Sequence, residues 1–401
     1  MKPKKNTAVT VLLSVFLLCF FYRPLYGETM GSAWGFRIDP PEDYEYADGD
    51  GKNTFSFAGP DGAMFDLSVS RGKFRTMKDL VNDINLRIKN KGDVSFFEYH
   101  DKLAALIELN FSVNGNAAGR GTATGIPPAA LSMAGWALCV ELAPPEDAGA
   151  GETPPLLLAL AYGPAARRDL QLLHISCLDS IAPSAAEQHC PGPITESVIP
   201  RGKLKKTPLA GLGIEALIAE HDAEAAQYLV DREFAILKRY EVSPLWKEAW
   251  MRFYRTIYRD SWDRLADAAF QLERRWNIPE TENRALGEKA LAWVQGFKYE
   301  RDRIGSDFVN LVSAAAEGRG DCDSRSMLWA IVLAQADIPA AMMVSKEYSH
   351  AMGLADLSGT GARFEAEGKK WVVAETTAKV ALGLIGKEVS DIEGWIGVIF
   401  E

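Results

Sequence analysis

The chain has 401 residues, more than one hydrophobic core usually spans, so two domains are expected. Its composition is globular, 47% hydrophobic and 24% charged, without a low-complexity block or internal repeat. A net charge of −10 and the lack of any basic stripe exclude nucleic acid and anionic lipid as partners drawn in by the overall field.

Residues 1–27 stand apart. Lys2, Lys4 and Lys5 precede an apolar run from Ala8 to Tyr22, short for a membrane span and of the length of a secretory signal core. Gly27 suits a cleavage point, although Leu25 is larger than the usual small residue two places earlier. Leu18 and Phe20 make Cys19 a poor lipidation site. The expectation is a signal peptide over 1–27 and an exported protein: periplasmic, secreted or envelope-associated. It meets a membrane only through an uncleaved or lipidated N-terminus. Without these residues 40 basic and 54 acidic side chains remain, a net charge of −14.

Residues 28–200 read as an N-terminal domain of strands with one clear helix. "AWGFRIDP", "NTFSFAG" and "AMFDLSVSRG" alternate and are punctuated by Gly-Asp, Gly-Pro and Asp-Gly turns. "TMKDLVNDINLRIKNKG" carries Met77, Leu80, Val81, Ile84 and Ile88 on one helical face, with Gly92 as its stop. "DVSFFEYHDKLAALIELNFSV" resumes a strand pair, and "GWALCVEL", "PPLLLALAYG" and "LQLLHISCLDSI" follow. This order predicts a helix packed on an antiparallel sheet. It resembles the PsbP-like sandwich, though no motif carries that likeness.

Export changes how the cysteines read, because thiols in an oxidising compartment tend to pair. Cys177 and Cys190 are close enough in sequence for a local disulfide, with two free thiols as the alternative. The set His174, Cys177, His189 and Cys190 has no zinc-module spacing, and Cys139 reads as core.

The Pro-, Gly- and Lys-rich segment 201–213 predicts a linker. Residues 214–280 then predict helices, over Ile214–Tyr240, Pro244–Tyr258 and Ser261–Trp276, and a fourth runs over Thr281–Phe297. Their aromatic residues, Trp246, Trp250, Phe253, Tyr254, Tyr258, Trp262 and Trp276, read as helix–helix core ahead of a binding platform. From Ile338 the pattern turns to strands, with Gly368 in a hairpin turn. Residues 281–401 are thus the expected last domain, and the whole chain is expected to be α+β.

Chemistry concentrates in "GRGDCDSRSMLWAIVLAQADIPA". Ser324 or Asp323 is an expected N-cap, which sets Cys322 at a helix N-terminus where partial positive charge favours a thiolate. Asp321 and Asp323 oppose that charge, so activation requires an imidazole. His350, 28 residues on, starts one strand, and Glu375, 25 residues further, ends another. A helix-start cysteine, a strand histidine and a strand carboxylate form a nucleophile, base and orienter. Gln295 and the Cys322 N–H are candidate oxyanion donors. Asp356 rivals Glu375 as orienter; its even offset from His350 keeps it on one pleat face, but six residues of strand span roughly 20 Å.

"EGRGDCDSRSMLWAIVLAQADIPAAMMV", then "HAMGL", then "KKWVVAETT" resemble the transglutaminase-like superfamily, with its papain-type Cys-His-acid fold, over roughly residues 285–385. The resemblance implies a thiolate at Cys322, a general base at His350 and an orienting acid at Glu375. It implies no metal and no organic cofactor. The family's third member is usually Asp; Glu375 reaches about 1.5 Å farther. Taken singly, Cys322 reads as core, His350 as a satisfied strand histidine and Glu375 as a solvated strand end; their order and spacing together point to a site. The "RGD" at 319–321 belongs to the turn before Cys322, and "NFS" at Asn110 is a chance-level sequon. The expected function is cysteine-dependent acyl transfer on amide bonds of a peptide or protein substrate, such as one of the cell envelope. Hydrolysis is favoured over amine transfer. The alternative is a non-catalytic binding or scaffold protein that keeps the fold.

Overall fold

Alternation of inward and outward side chains builds the first sheet. A computed structural model describes residues 30–113, 131–145, 147–149, 151–301 and 306–400; the expected signal peptide lies outside them. Strands β1 (Met30–Gly31) and β2 (Arg37–Ile38) form a small pair. Seven antiparallel strands follow: β3 (Glu45–Asp48), β4 (Thr54–Ala58), β5 (Met64–Ser70), β6 (Val94–Tyr99), β7 (Lys102–Val113), β8 (Leu131–Glu141) and β9 (Leu156–Pro164). Their spatial order is β3-β4-β5-β9-β8-β7-β6.

Along β8 the period of two is plain. Ala137 and Cys139 face one side, under helix α1 (Met77–Ile88), while Leu138 and Val140 face the other, under helix α2 (Gln171–Asp179). Helix α1 starts with a reciprocal capping box between Thr76 and Asp79 and buries Met77, Leu80, Val81 and Ile84. Each such side chain contributes about 1.5–3 kcal/mol relative to exposure. The helix stops at Lys89 in the left-handed region, three residues before Gly92.

Helix α2 corrects the reading of "LQLLHISCLDSI" as strand. Leu170, Leu173, Cys177, Leu178 and Ile181 recur at helical spacing and bury against the sheet. The expected disulfide is also corrected, since Cys139, Cys177, Cys190 and Cys322 are all free. Cys177 faces the core from α2, whereas the Cys190 sulfur turns to the Ala186 carbonyl at 3.5 Å.

After the short helix α3 (Pro193–Val198), the segment read as a linker carries strand β10 (Leu204–Leu209), which pairs with β11 (Ile214–Ala219). The expected helix from Ile214 therefore begins later, as α4 (Asp222–Leu237). Helix α5 (Trp246–Arg264) continues past Tyr258, and α6 (Ala266–Trp276) and α7 (Asn283–Gln295) complete the helical run. The sheet's inner core extends into these helices through Ile236, Tyr240 and Ala249.

The last layer has strand β12 (Lys298–Tyr299), helix α8 (Leu311–Glu317), strand β13 (Arg319–Gly320) and helix α9 (Cys322–Ala334). Strands β14 (Ala340–Ser345), β15 (His350–Ala355), β16 (Arg363–Ala366), β17 (Lys369–Ala374) and β18 (Ile396–Val398) form a sheet in the order β16-β17-β15-β14-β18. Helix α9 is apolar on nearly every side because the sheet and other helices enclose it. Its Trp329 ring lies against β15 at Gly353, where a Cβ would meet the ring at 2.4 Å. The chain is α+β. No helix among the described residues is long and apolar enough to cross a membrane.

Candidate active site

Helix α9 begins at Cys322, and its N-cap is Asp321, not Ser324 or Asp323. The cap must reach a donor about three residues on, and Asp321 Oδ1 accepts from the Ser324 N–H at 2.9 Å and its hydroxyl at 2.5 Å. The segment just before it is held by a parallel pairing of β12 with β13, Tyr299 opposite Gly320. Gly318, left-handed at φ 68, caps α8 and lets the chain turn into that pairing.

Cys322 is 6% exposed. Its thiol donates to Asp323 Oδ1 at 3.4 Å, and the other oxygen, Oδ2, accepts from the Tyr254 hydroxyl at 2.8 Å. Burial, with the charges of Asp323 and Asp321, pushes the thiol well above its ordinary range, and the Ala351 amide pulls weakly the other way. Burial also raises the Asp323 carboxyl. Asp321 is pushed up to about 8 by burial and by the charge of Asp323. In this arrangement the nucleophile candidate is a thiol.

His350 and Glu375 meet. Antiparallel pairing of β15 with β17 sets Gly353 opposite Ala374, and the His350 Nε2 lies 2.8 Å from Glu375 Oε2. Glu375 Oε1 accepts from the Thr377 N–H at 2.7 Å and its hydroxyl at 2.6 Å. Burial raises the Glu375 carboxyl, but the His350 hydrogen bond and charge, with Thr377, outweigh it and hold the group below its ordinary value. No hydrogen bond joins the His350 ring to Cys322, whose sulfur is engaged by Asp323. The rival orienter Asp356 is far from this pair, bound to Lys369 at 2.8 Å, and β15 runs straight through Gly353.

Gln295 differs from its expected role as an oxyanion donor. Its amide nitrogen donates to the carbonyls of Glu375 at 2.8 Å and Val380 at 2.9 Å, so both hydrogens are used to fix the loop behind Glu375. Two further residues went unread in the sequence. Arg325 is buried and ties Gly320 O, at 3.1 Å, to Phe297 O, at 2.8 Å, and lies 5.5 Å from the Tyr299 ring. Its signal is a charge one turn into an otherwise apolar helix. Tyr254 gave no signal, since it is one aromatic residue among many.

The ligand atoms of Asp321, Cys322 and Asp323 lie within 4.8 Å of one another, the one such group among the described residues. Hydrogen bonds within the trio and to Ser324 and Tyr254 account for these atoms. The set His174, Cys177, His189 and Cys190 does not converge: His189 packs on the Trp262 ring at 4.9 Å.

The raised Asp321 carboxyl has a measurable consequence. The folded state keeps this proton up to about pH 8, whereas the unfolded chain loses it near pH 4. Its stabilising effect is full below the unfolded value and is lost as pH rises through the folded one. Asp321→Asn keeps a capping oxygen and removes that loss. Its Tm is expected to exceed that of the parent by several degrees at pH 9, at roughly 2–4 °C per kcal/mol, and by little at pH 4. Thermal denaturation at the two pH values checks this; a gap that does not widen with pH refutes it.

No family model and no curated protein matches the chain. Among solved structures, one from Bacteroides thetaiotaomicron is 11% identical and covers 58% of this chain and 77% of its own, at a TM-score of 0.25. Legionella pneumophila LapG, in its calcium-bound form, is 16% identical over 38% of this chain and 76% of its own, at a TM-score of 0.20. The same protein treated with EGTA aligns at 16% identity and a TM-score of 0.20, over 38% of this chain and 74% of its own. Likeness this remote carries no argument, and the site must be read from its own residues.

Proposed function

We propose that this chain is an exported cysteine-dependent acyl-transfer enzyme that hydrolyses amide bonds of peptides or proteins. The observation that supports it is the 2.8 Å contact of the His350 ring, at the start of β15, with Glu375, just past the end of β17, while helix α9 packs on β15 and starts at Cys322. His350 Nε2 faces the carboxylate, which leaves Nδ1 as the base. The thiol turns from Asp323 and gives its proton to Nδ1, and the sulfur attacks the amide carbonyl carbon. The Cys322 N–H at the head of α9, which no helical carbonyl takes, faces the developing oxyanion, while the Ser324 N–H stays with the Asp321 cap. The imidazolium, held by Glu375, returns its proton to the leaving amine. Water then gives a proton to the same base, cleaves the thioester and restores the thiol.

A second reading has its own observation. The thiol is held by Asp323 and not by the imidazole, which favours a silent site in a binding or scaffold protein. Labelling of the native protein by iodoacetamide separates the two. An enzyme is expected to alkylate at Cys322 with a rate governed by a group titrating below an ordinary thiol, and Cys322→Ala removes the label. Alkylation of Cys322 only on unfolding defeats the enzyme reading.

A further inference from the structure

Beside the nucleophile lies a cavity of about 500 Å³. Its wall is aromatic: Phe234 from α4, Trp250, Phe253 and Tyr254 from α5, and Phe308. Phe308 stands edge-on to Phe253 at 6.2 Å, and Trp250 lies 6.3 Å from Tyr254. Asp323 also lines the cavity, and its Oδ1 is 3.4 Å from the Cys322 sulfur. The two other charged groups there, Arg301 and Asp307, pair with each other at 2.6 Å. Asp323 has no ion pair among the described residues: its oxygens accept from the Cys322 thiol and the Tyr254 hydroxyl, and the charges of His350 and Arg301 act on it from beyond ion-pair distance, so the charged groups lining the cavity sum to one negative charge.

A half-buried carboxylate among aromatic faces is complementary to a cation. Ring faces attract ammonium and guanidinium groups, and a carboxylate shielded from water gains more from a counter-charge than one in bulk solvent. Phe234 and Trp250 also offer apolar surface to the stem of a long side chain. From this we propose that the cavity receives the side chain of a lysine or arginine whose own carbonyl is the scissile one. The proposal rests on the acyl-transfer reading, because Cys322 must reach that carbonyl. With the charged head toward Asp323, the same residue's carbonyl lies next to the neighbouring Cys322. An acidic side chain is repelled, and a neutral one leaves Asp323 without a counter-charge.

The test uses the full-length protein and N-acetyl chloromethyl ketones of lysine, alanine, phenylalanine and glutamate. Each alkylates the thiolate through its methylene carbon with loss of chloride, and mass spectrometry follows the rate at Cys322. The lysyl reagent is expected to outpace the alanyl one by roughly tenfold or more, with the glutamyl reagent slowest. The lysyl-to-alanyl ratio should fall toward one in Trp250→Ala and hold in Trp250→Phe, which keeps a ring. Using the ratio cancels any change in the thiol itself. Equal lysyl and alanyl rates, a faster phenylalanyl reagent, or a ratio that survives Trp250→Ala overturns the cation pocket. Iodoacetamide run in parallel tells that failure apart from loss of the enzyme reading: if it too spares Cys322 in the native protein, both fall.

Discussion

Glu375→Gln is expected to slow acylation by roughly 10⁴ while the fold persists, as loss of a triad carboxylate does. The cause lies in the partners of the carboxylate. Thr377 donates twice to Oε1, through its N–H and its hydroxyl, so a glutamine must turn its oxygen to Thr377 and its amide nitrogen to His350. That nitrogen is a donor. The ring then presents a lone pair at Nε2 and carries its proton on Nδ1, where the thiol proton would have to go. The variant is short of a base rather than of a contact. Single-turnover labelling and hydrolysis should fall together, with an unchanged Tm as control. Activity within tenfold of the parent would mean that Glu375 does not orient His350. Asp356→Asn should leave rates unaltered, because its carboxylate serves only a surface pair with Lys369, worth about 0–1 kcal/mol.

Glu233→Ala is expected to cost about 3–5 kcal/mol of stability. Its two oxygens hold two buried arginines, Arg232 at 2.8 Å and Arg252 at 2.8 Å. Arg232 also reaches Asp179 at 2.6 Å, and Arg252 approaches Glu42 at 3.3 Å outside hydrogen-bond geometry. Burial raises the Glu42 carboxyl to about 7, so it is a poor substitute partner. Removing Glu233 therefore strands positive charge in a seam that joins the first sheet, through α2, to α4 and α5. Urea denaturation measures the loss; a change under 1 kcal/mol would show that water relieves the seam. Arg259, which donates to the carbonyls of Asp179, Ser180 and Ile181, spans the same seam from α5.

Local periodicity carried most of the secondary structure. The alternation of "AMFDLSVSRG" and the helical face of "TMKDLVNDINLRI" each reappear as β5 and α1. Where the reading failed, the period was blurred. "LQLLHISCLDSI" is apolar at nearly every position, so its helical spacing was masked by a run that also suits a buried strand. At Ile214 the alternation of β11 lasts six residues and merges into α4, and only its partner β10 distinguishes strand from helix.

By itself the sequence determined that Cys322 heads a helix, that His350 opens one strand and Glu375 falls at the end of another, directly after its last residue, and that Asp356 lies too far from His350. These follow from capping and from rise per residue, which are local. Only the tertiary structure decided what each side chain touches. It turned the Cys322 thiol to Asp323, spent the Gln295 amide on the carbonyls behind Glu375, and brought Tyr254 from a helix 69 residues upstream against Asp323. It also set an arginine network across the seam that no spacing foretells. Hydrogen bonds and ion pairs of this kind join residues distant in sequence, and the packing of α5, α7 and α9 around one sheet selects which of them meet.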